Sequence, residues 1–90
     1  MIARQVFYEG RVQGVGFRYT VRNIAKGFEV TGWVRNLPDG RVELQACGEA
    51  DEVNAFLTGV EESELNGNIR KAEKREIPPL NDVKGFEIRF

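Results

Sequence analysis

The residues with chemical capability fall in two short stretches. The first reads Gly10-Arg11-Val12-Gln13-Gly14-Val15-Gly16-Phe17-Arg18. Gly14 and Gly16 permit backbone angles closed to residues with side chains, so successive N–H groups can turn toward one point. Such a point attracts anions. A helix starting behind it adds free N–H donors and about half a positive charge, and Arg18 adds a planar fork that matches a phosphate group. The same residues also suit a plain strand-to-helix connection carrying a surface arginine. The second stretch runs from Gly32 to Val42 and sets Asn36 just before Leu37-Pro38-Asp39-Gly40. An asparagine there can cap the turn. It can also face Arg18, if the sheet lays this strand's end beside the glycine loop.

What is missing narrows the chemistry further. There is no histidine, so no Ser-His or Cys-His pair exists; the only serine, Ser63, lies among acidic residues, and Cys47 is the only cysteine. If the chain is an enzyme, it must work through arginine, amide, carboxylate and backbone groups. One thiol without histidine builds neither an intramolecular disulfide nor a usual zinc or copper site, so no metal is expected. The 13 basic and 14 acidic residues leave a formal charge of -1, without the positive excess that gives affinity for nucleic acid. Ninety residues, 41% apolar and 30% charged, suit a single domain over 1–90. No apolar run approaches the roughly 20 residues that span a bilayer, and Met1-Ile2-Ala3-Arg4-Gln5 lacks the apolar core of a secretory signal. No membrane partner is expected, and the expected location is the cytoplasm.

Positioning the two stretches falls to elements that the hydrophobic pattern predicts. Residues 3 to 9 are rich in β-formers and stop at Gly10, giving a first strand with Val6 and Tyr8 on one face and a continuation to Val12. Gln13 to Gly16 is a loop. Phe17, Val21, Ile24, Ala25 and Phe28 then recur at helical spacing, with Arg22, Asn23 and Lys26 on the outer side. Val30 to Asn36 predicts a second strand, residues 37–40 a tight turn, and Val42, Leu44 and Ala46 the inward positions of a third strand. Val53, Phe56, Leu57 and Val60 predict a second helix over 51–61, in which Gly59 costs about 1 kcal/mol relative to alanine. After a loop over 62–68, Ile69 to Ile77 reads as an exposed edge strand with Ile69, Ala72 and the stem of Lys74 turned inward. Phe86, Ile88 and Phe90 alternate in a last strand. The order is β-α-β-β-α-β with a short terminal strand. That is an α+β, ferredoxin-like split β-α-β sandwich (βαββαβ), its antiparallel sheet carrying two helices on one face.

Together the two stretches resemble the acylphosphatase family, marked by G-x-V-Q-G-V-x-F-R and a later G-W-V-x-N-x-x-x-G-x-V-x-x-x-x-x-G. Both patterns occur here, from Gly10 to Arg18 and from Gly32 to Gly48, and the likeness extends to the closing Gly85-Phe86-Glu87-Ile88-Arg89-Phe90. The resemblance implies a hydrolase that splits the carboxyl-phosphate bond of acyl phosphates into carboxylate and inorganic phosphate, with no metal and no cofactor. In that scheme the backbone amides of Gly14, Val15, Gly16, Phe17 and Arg18, with the Arg18 guanidinium, bind the phosphoryl group. Asn36 orients the water for in-line attack. The implied partner is a small-molecule acyl phosphate, phosphate or sulfate is the implied ligand, and the expected state is a monomer. The composition agrees, because a carboxylate leaving group with a pKa of about 4 departs without a general acid. Two other classes share parts of the pattern. An anion-binding module would keep the loop without turnover, and an RNA-binding sheet would need stacking aromatics on the third strand, where Arg41 to Cys47 has none.

The chain departs from the family pattern in two places. Tyr8 stands where Leu, Ile or Val is usual, which enlarges a core position under the loop or sends a hydroxyl toward polar surroundings. Glu29 stands where glycine is frequent after the first helix, so that helix is expected to end without a left-handed residue there, loosened by Gly27. Trp33 reads as packing or partly exposed surface, and Arg11, Arg35 and Arg41 as solvated charge. Cys47, alternating with Val42, Leu44 and Ala46, belongs on the sheet face away from the helices as a free thiol. Phe90 comes near Arg18 if the last strand runs beside the loop.

Overall fold

Alternating burial decides how the strands assemble. In the computed structural model, which describes residues 1–90, β1 (Ile2–Gly10), β2 (Val30–Asn36), β3 (Val42–Gly48), β4 (Ile69–Ile77) and β5 (Phe86–Arg89) form one sheet in the order β4-β1-β3-β2-β5. Helices α1 (Phe17–Ala25) and α2 (Ala50–Glu61) cover one of its faces. Val6, Tyr8, Val34, Leu44 and Ala46 of the sheet meet Phe17, Val21 and Ala25 of α1 and Val53, Phe56, Leu57 and Val60 of α2 in a 16-residue core. Full burial of one such side chain stabilises by about 1.5–3 kcal/mol, so this shared layer holds the helices on the sheet.

The expected α+β sandwich is the one observed, and one edge adds a pairing that strand patterns do not encode. Strands β1 and β4 pair antiparallel, as do β1 with β3 and β2 with β3. β5 instead runs parallel to β2, with Phe86 beside Gly32 and Arg89 beside Arg35, so the sheet is mixed. Direction explains this. β1 and β2 both run against β3 and so point the same way; β4 opposes β1, and the chain reverses once more over 78–85.

Four boundaries differ from expectation, the last being β5, which ends at Arg89 and leaves Phe90 outside the strand. β1 ends at Gly10, where its register against β4 shifts, and Val12 is a fully buried core residue of the following loop rather than part of the strand. α1 stops at Ala25: the N–H groups of Lys26, Gly27 and Phe28 bond back to Asn23, Ile24 and Ala25 at 3.3, 3.0 and 3.1 Å. These three-residue turns close the helix with no left-handed residue, and the Glu29 N–H donates to the Glu52 carboxylate at 2.7 Å. α2 begins one residue early, at Ala50. The edge strand β4 follows its pattern: Ile69 and Ala72 pack on the core, and Lys74 ends in a 2.7 Å ion pair with Glu61.

The face away from the helices is polar and closed over itself. Cys47 lies there, buried and unpaired, opposite Ala3 and Thr31. Trp33 is nearly buried because Arg35 and Arg89 stack on its ring at 5.1 and 5.0 Å. Glu43 is buried beside it. Burial opposes its charge, but hydrogen bonds from Gln5 (2.7 Å), Gln45 (3.1 Å) and Arg35 (3.0 Å) outweigh that and hold the carboxyl below the usual carboxylate range. Arg35 and Arg41 are ion-paired, to Glu43 and Asp39, whereas Arg11 has no such partner.

Candidate active site

Sheet register brings the two stretches together. Tyr8 and Asn36 both pair with Val42, from opposite sides of β3. Their strand ends therefore lie at one end of the sheet, two strand spacings or roughly 10 Å apart. The loop leaving β1 crosses that gap, and Phe17, the first residue of α1, packs its ring on Tyr8 with centroids 5.2 Å apart. The tyrosine thus enlarges the core under the loop. Its hydroxyl has no hydrogen-bond partner, and burial, with Glu61 adding to it, pushes the phenol well above its ordinary range.

Gly14 and Gly16 hold positive φ angles of 77° and 75°, and Gly16 is the N-cap of α1. A left-handed cap without a side chain leaves the helix end uncovered: no side chain caps α1, and its first turn holds no acidic residue. None of the N–H groups of residues 13 to 19 donates to another group of the protein. The loop is pinned from its other end. The side-chain amide of Gln13 donates to the carbonyls of Leu37 and Arg41, at 2.8 and 2.9 Å, tying the loop to the β2–β3 turn.

Gly14, Gly16, Phe17, Arg18 and Asn36 line one cavity of about 100 Å³, together with Val12 and Tyr19. Val15 lies between the two lining glycines with its side chain exposed. The residues singled out in the sequence are therefore gathered at one place. Two features mark this cavity as chemically poised. The Asn36 Oδ1 atom is buried without a hydrogen-bond partner, a state that costs about 1–3 kcal/mol unless something in the cavity answers it. Arg18 makes no ion pair; its guanidinium instead lies 4.9 Å from the centre of the Phe90 ring.

The local field is positive although the whole chain is not. No acidic residue occurs from Gly10 to Phe28, and the four cations there, Arg11, Arg18, Arg22 and Lys26, are all without ion-pair partners. A wider depression of about 620 Å³ opens beside Gly10, lined by Arg11, Arg70 and residues 67–69. It has neither the uncovered helix end nor the orphaned carboxamide, so the smaller cavity is the better candidate. No group of three His, Cys, Asp or Glu residues is placed to hold a metal ion.

Gln13 and Tyr19 are the residues that motif reading left without a role. Gln13 stands inside the first motif, which is the only signal that could have marked it; nothing in the sequence marks Tyr19.

The fold and this cavity define a ferredoxin-like sandwich whose strand-to-helix loop leaves the start of α1 without a side-chain cap. The family model described as Acylphosphatase matches residues 4–88. The chain belongs to the acylphosphatase family and is a hydrolase. It is 39% identical to the acylphosphatase of Archaeoglobus fulgidus over 90 residues, covering all of both chains. It is 52% identical to that of Methanospirillum hungatei over 80 residues, 88% of this chain and 84% of the relative. The crystal structure of the Bacillus subtilis acylphosphatase superposes with a TM-score of 0.90 at 33% identity, covering both chains completely.

Proposed function

We propose that the chain hydrolyses acyl phosphates by attack of a water held at Asn36 on a phosphoryl group held by Arg18 and the amides of residues 14 to 18. One observation carries this reading: a buried carboxamide oxygen without a partner shares a cavity with an unpaired guanidinium. As an acceptor, Asn36 Oδ1 receives a hydrogen bond from the water's O–H, and the water's lone pair turns toward the cavity. The uncovered amides and the guanidinium receive the phosphoryl oxygens and the charge that grows on them in the transition state. The water oxygen bonds to phosphorus as the bond from phosphorus to the acyl oxygen breaks in line with it. A carboxylate leaves and inorganic phosphate remains. The cavity lining holds no carboxylate and no histidine, so the water's proton passes to a second water or to an oxygen of the substrate's own phosphate. The protein acts as a monomer in the cytoplasm, as one domain, and needs no metal or cofactor for this step.

The test is hydrolysis of benzoyl phosphate with a chelator present, wild type beside Arg18→Gln. Removing one preorganised donor lowers kcat by about 10²- to 10³-fold. Near-normal turnover by Arg18→Gln overturns the assignment. Binding of inorganic phosphate without any turnover in the wild type would instead make the chain an anion-binding module.

A further inference from the structure

Exposed apolar side chains lie beside the cavity. Four large hydrophobic residues of this chain are exposed: Met1, Val15, Tyr19 and Phe90. Three of the four gather around the candidate site. Val15 projects from between Gly14 and Gly16, Tyr19 lines the cavity itself, and the Phe90 ring lies against the Arg18 guanidinium. Their exposures are 39%, 53% and 92%, and Met1 is the fourth large apolar side chain left exposed, at 76%. A guanidinium steadies each ring, Arg18 at 4.9 Å from Phe90 and Arg22 at 5.4 Å from Tyr19.

We propose that Val15, Tyr19 and Phe90 form a subsite for the acyl group, and that the substrates are acyl phosphates with an apolar chain or ring rather than small or anionic acyl groups. This rests on the phosphate-holding role given to the cavity. A phosphoryl group whose free oxygens face the loop amides must direct its acyl oxygen outward. The carbon skeleton attached to that oxygen then crosses the rim formed by these three side chains. Apolar contact there takes the exposed surface of both partners out of water, and each buried methylene contributes a factor of roughly four in affinity. The contact is made before and during reaction alike, so the gain falls mainly on KM.

Acetyl, butanoyl and hexanoyl phosphate test this directly, because their leaving carboxylates have nearly equal basicity and differ only in apolar length. The expected result for the wild type is a kcat/KM that rises at least 10-fold from acetyl to hexanoyl, chiefly through KM. A carboxylate-tipped acyl phosphate of butanoyl length should react less efficiently than butanoyl phosphate. In Tyr19→Ala and in Phe90→Ala, the ratio of hexanoyl to acetyl kcat/KM should fall at least 5-fold. A flat or falling series, a preference for the carboxylate-tipped substrate, or a ratio unmoved in both variants overturns the subsite. Failure of the wild type to hydrolyse any of the four compounds would instead remove the hydrolytic reading on which the subsite depends.

Discussion

The side-chain amide of Gln13 lies 2.8 Å from the carbonyl of Leu37, the residue that follows Asn36, and 2.9 Å from that of Arg41. One side chain thus fixes the glycine loop against the turn that ends Asn36's strand. Both hydrogen bonds run to main chain, so in the proposed mechanism they would set the spacing between the phosphoryl group and the water without touching either. Misplacement by about 1 Å at a reacting centre can cost about 10² in rate.

Gln13→Ala is therefore expected to lower kcat for an acyl phosphate about 10- to 100-fold while changing inhibition by inorganic phosphate less than threefold. The two lost bonds also cost about 1–3 kcal/mol of stability, visible in a urea melt. A lowered melting midpoint with kcat intact would reduce Gln13 to a structural tie.

Asn36 makes the opposite kind of prediction. Its orphaned oxygen is a local cost to the fold, and replacing a buried unsatisfied acceptor by a methyl group removes that cost. Asn36→Ala should lower kcat about 10²-fold or more, leave inhibition by inorganic phosphate nearly unchanged, and hold or raise the thermal midpoint. Activity lost together with stability, or phosphate inhibition lost while kcat survives, would count against a water-positioning role.

How much of this was legible in the sequence depends on the range of the interaction. The loop and helix start were readable because Gly14, Gly16 and the stripe from Phe17 to Ala25 are local signals. Asn36 could be placed near Arg18 once the strand order was set, since register does the rest. Gln13 could not be given its role: its acceptors lie 24 and 28 residues away, and either carbonyl is anonymous in a sequence. The direction of β5 was equally hidden, because four alternating residues pattern alike in parallel and antiparallel pairing. Phe28 belonged to the helical stripe but packs from the turn beyond it, since burial of its ring needs only proximity to Phe56, 6.0 Å away, and not a helical backbone. Tyr19 was invisible because an exposed aromatic on a helix acquires meaning only from the cavity beside it.

Tyr8 offers a test of the core under the loop. Its ring fills the space against Phe17, while its hydroxyl is buried with no partner. Phenylalanine keeps the ring and deletes the unsatisfied oxygen, so Tyr8→Phe should stabilise the protein by about 1 kcal/mol at neutral pH. For a chain of this size that is a rise of roughly 4–8 °C in Tm. The pH dependence follows from the direction of the shift. Burial, seconded by the charge of Glu61, raises the folded-state phenol above its ordinary value of about 10. Below that value both folded and unfolded chains keep the proton, and the group adds no slope. Above it the unfolded chain loses the proton first, so stability falls as pH rises, by about 1.4 kcal/mol per unit until the folded-state phenol also ionises. The difference in denaturant midpoint between Tyr8→Phe and wild type should therefore be constant from pH 6 to about 9 and widen beyond 10. A constant difference through pH 11 would show that the phenol reaches water in the folded protein, and that the loop rests on a looser core than the Tyr8–Phe17 contact describes.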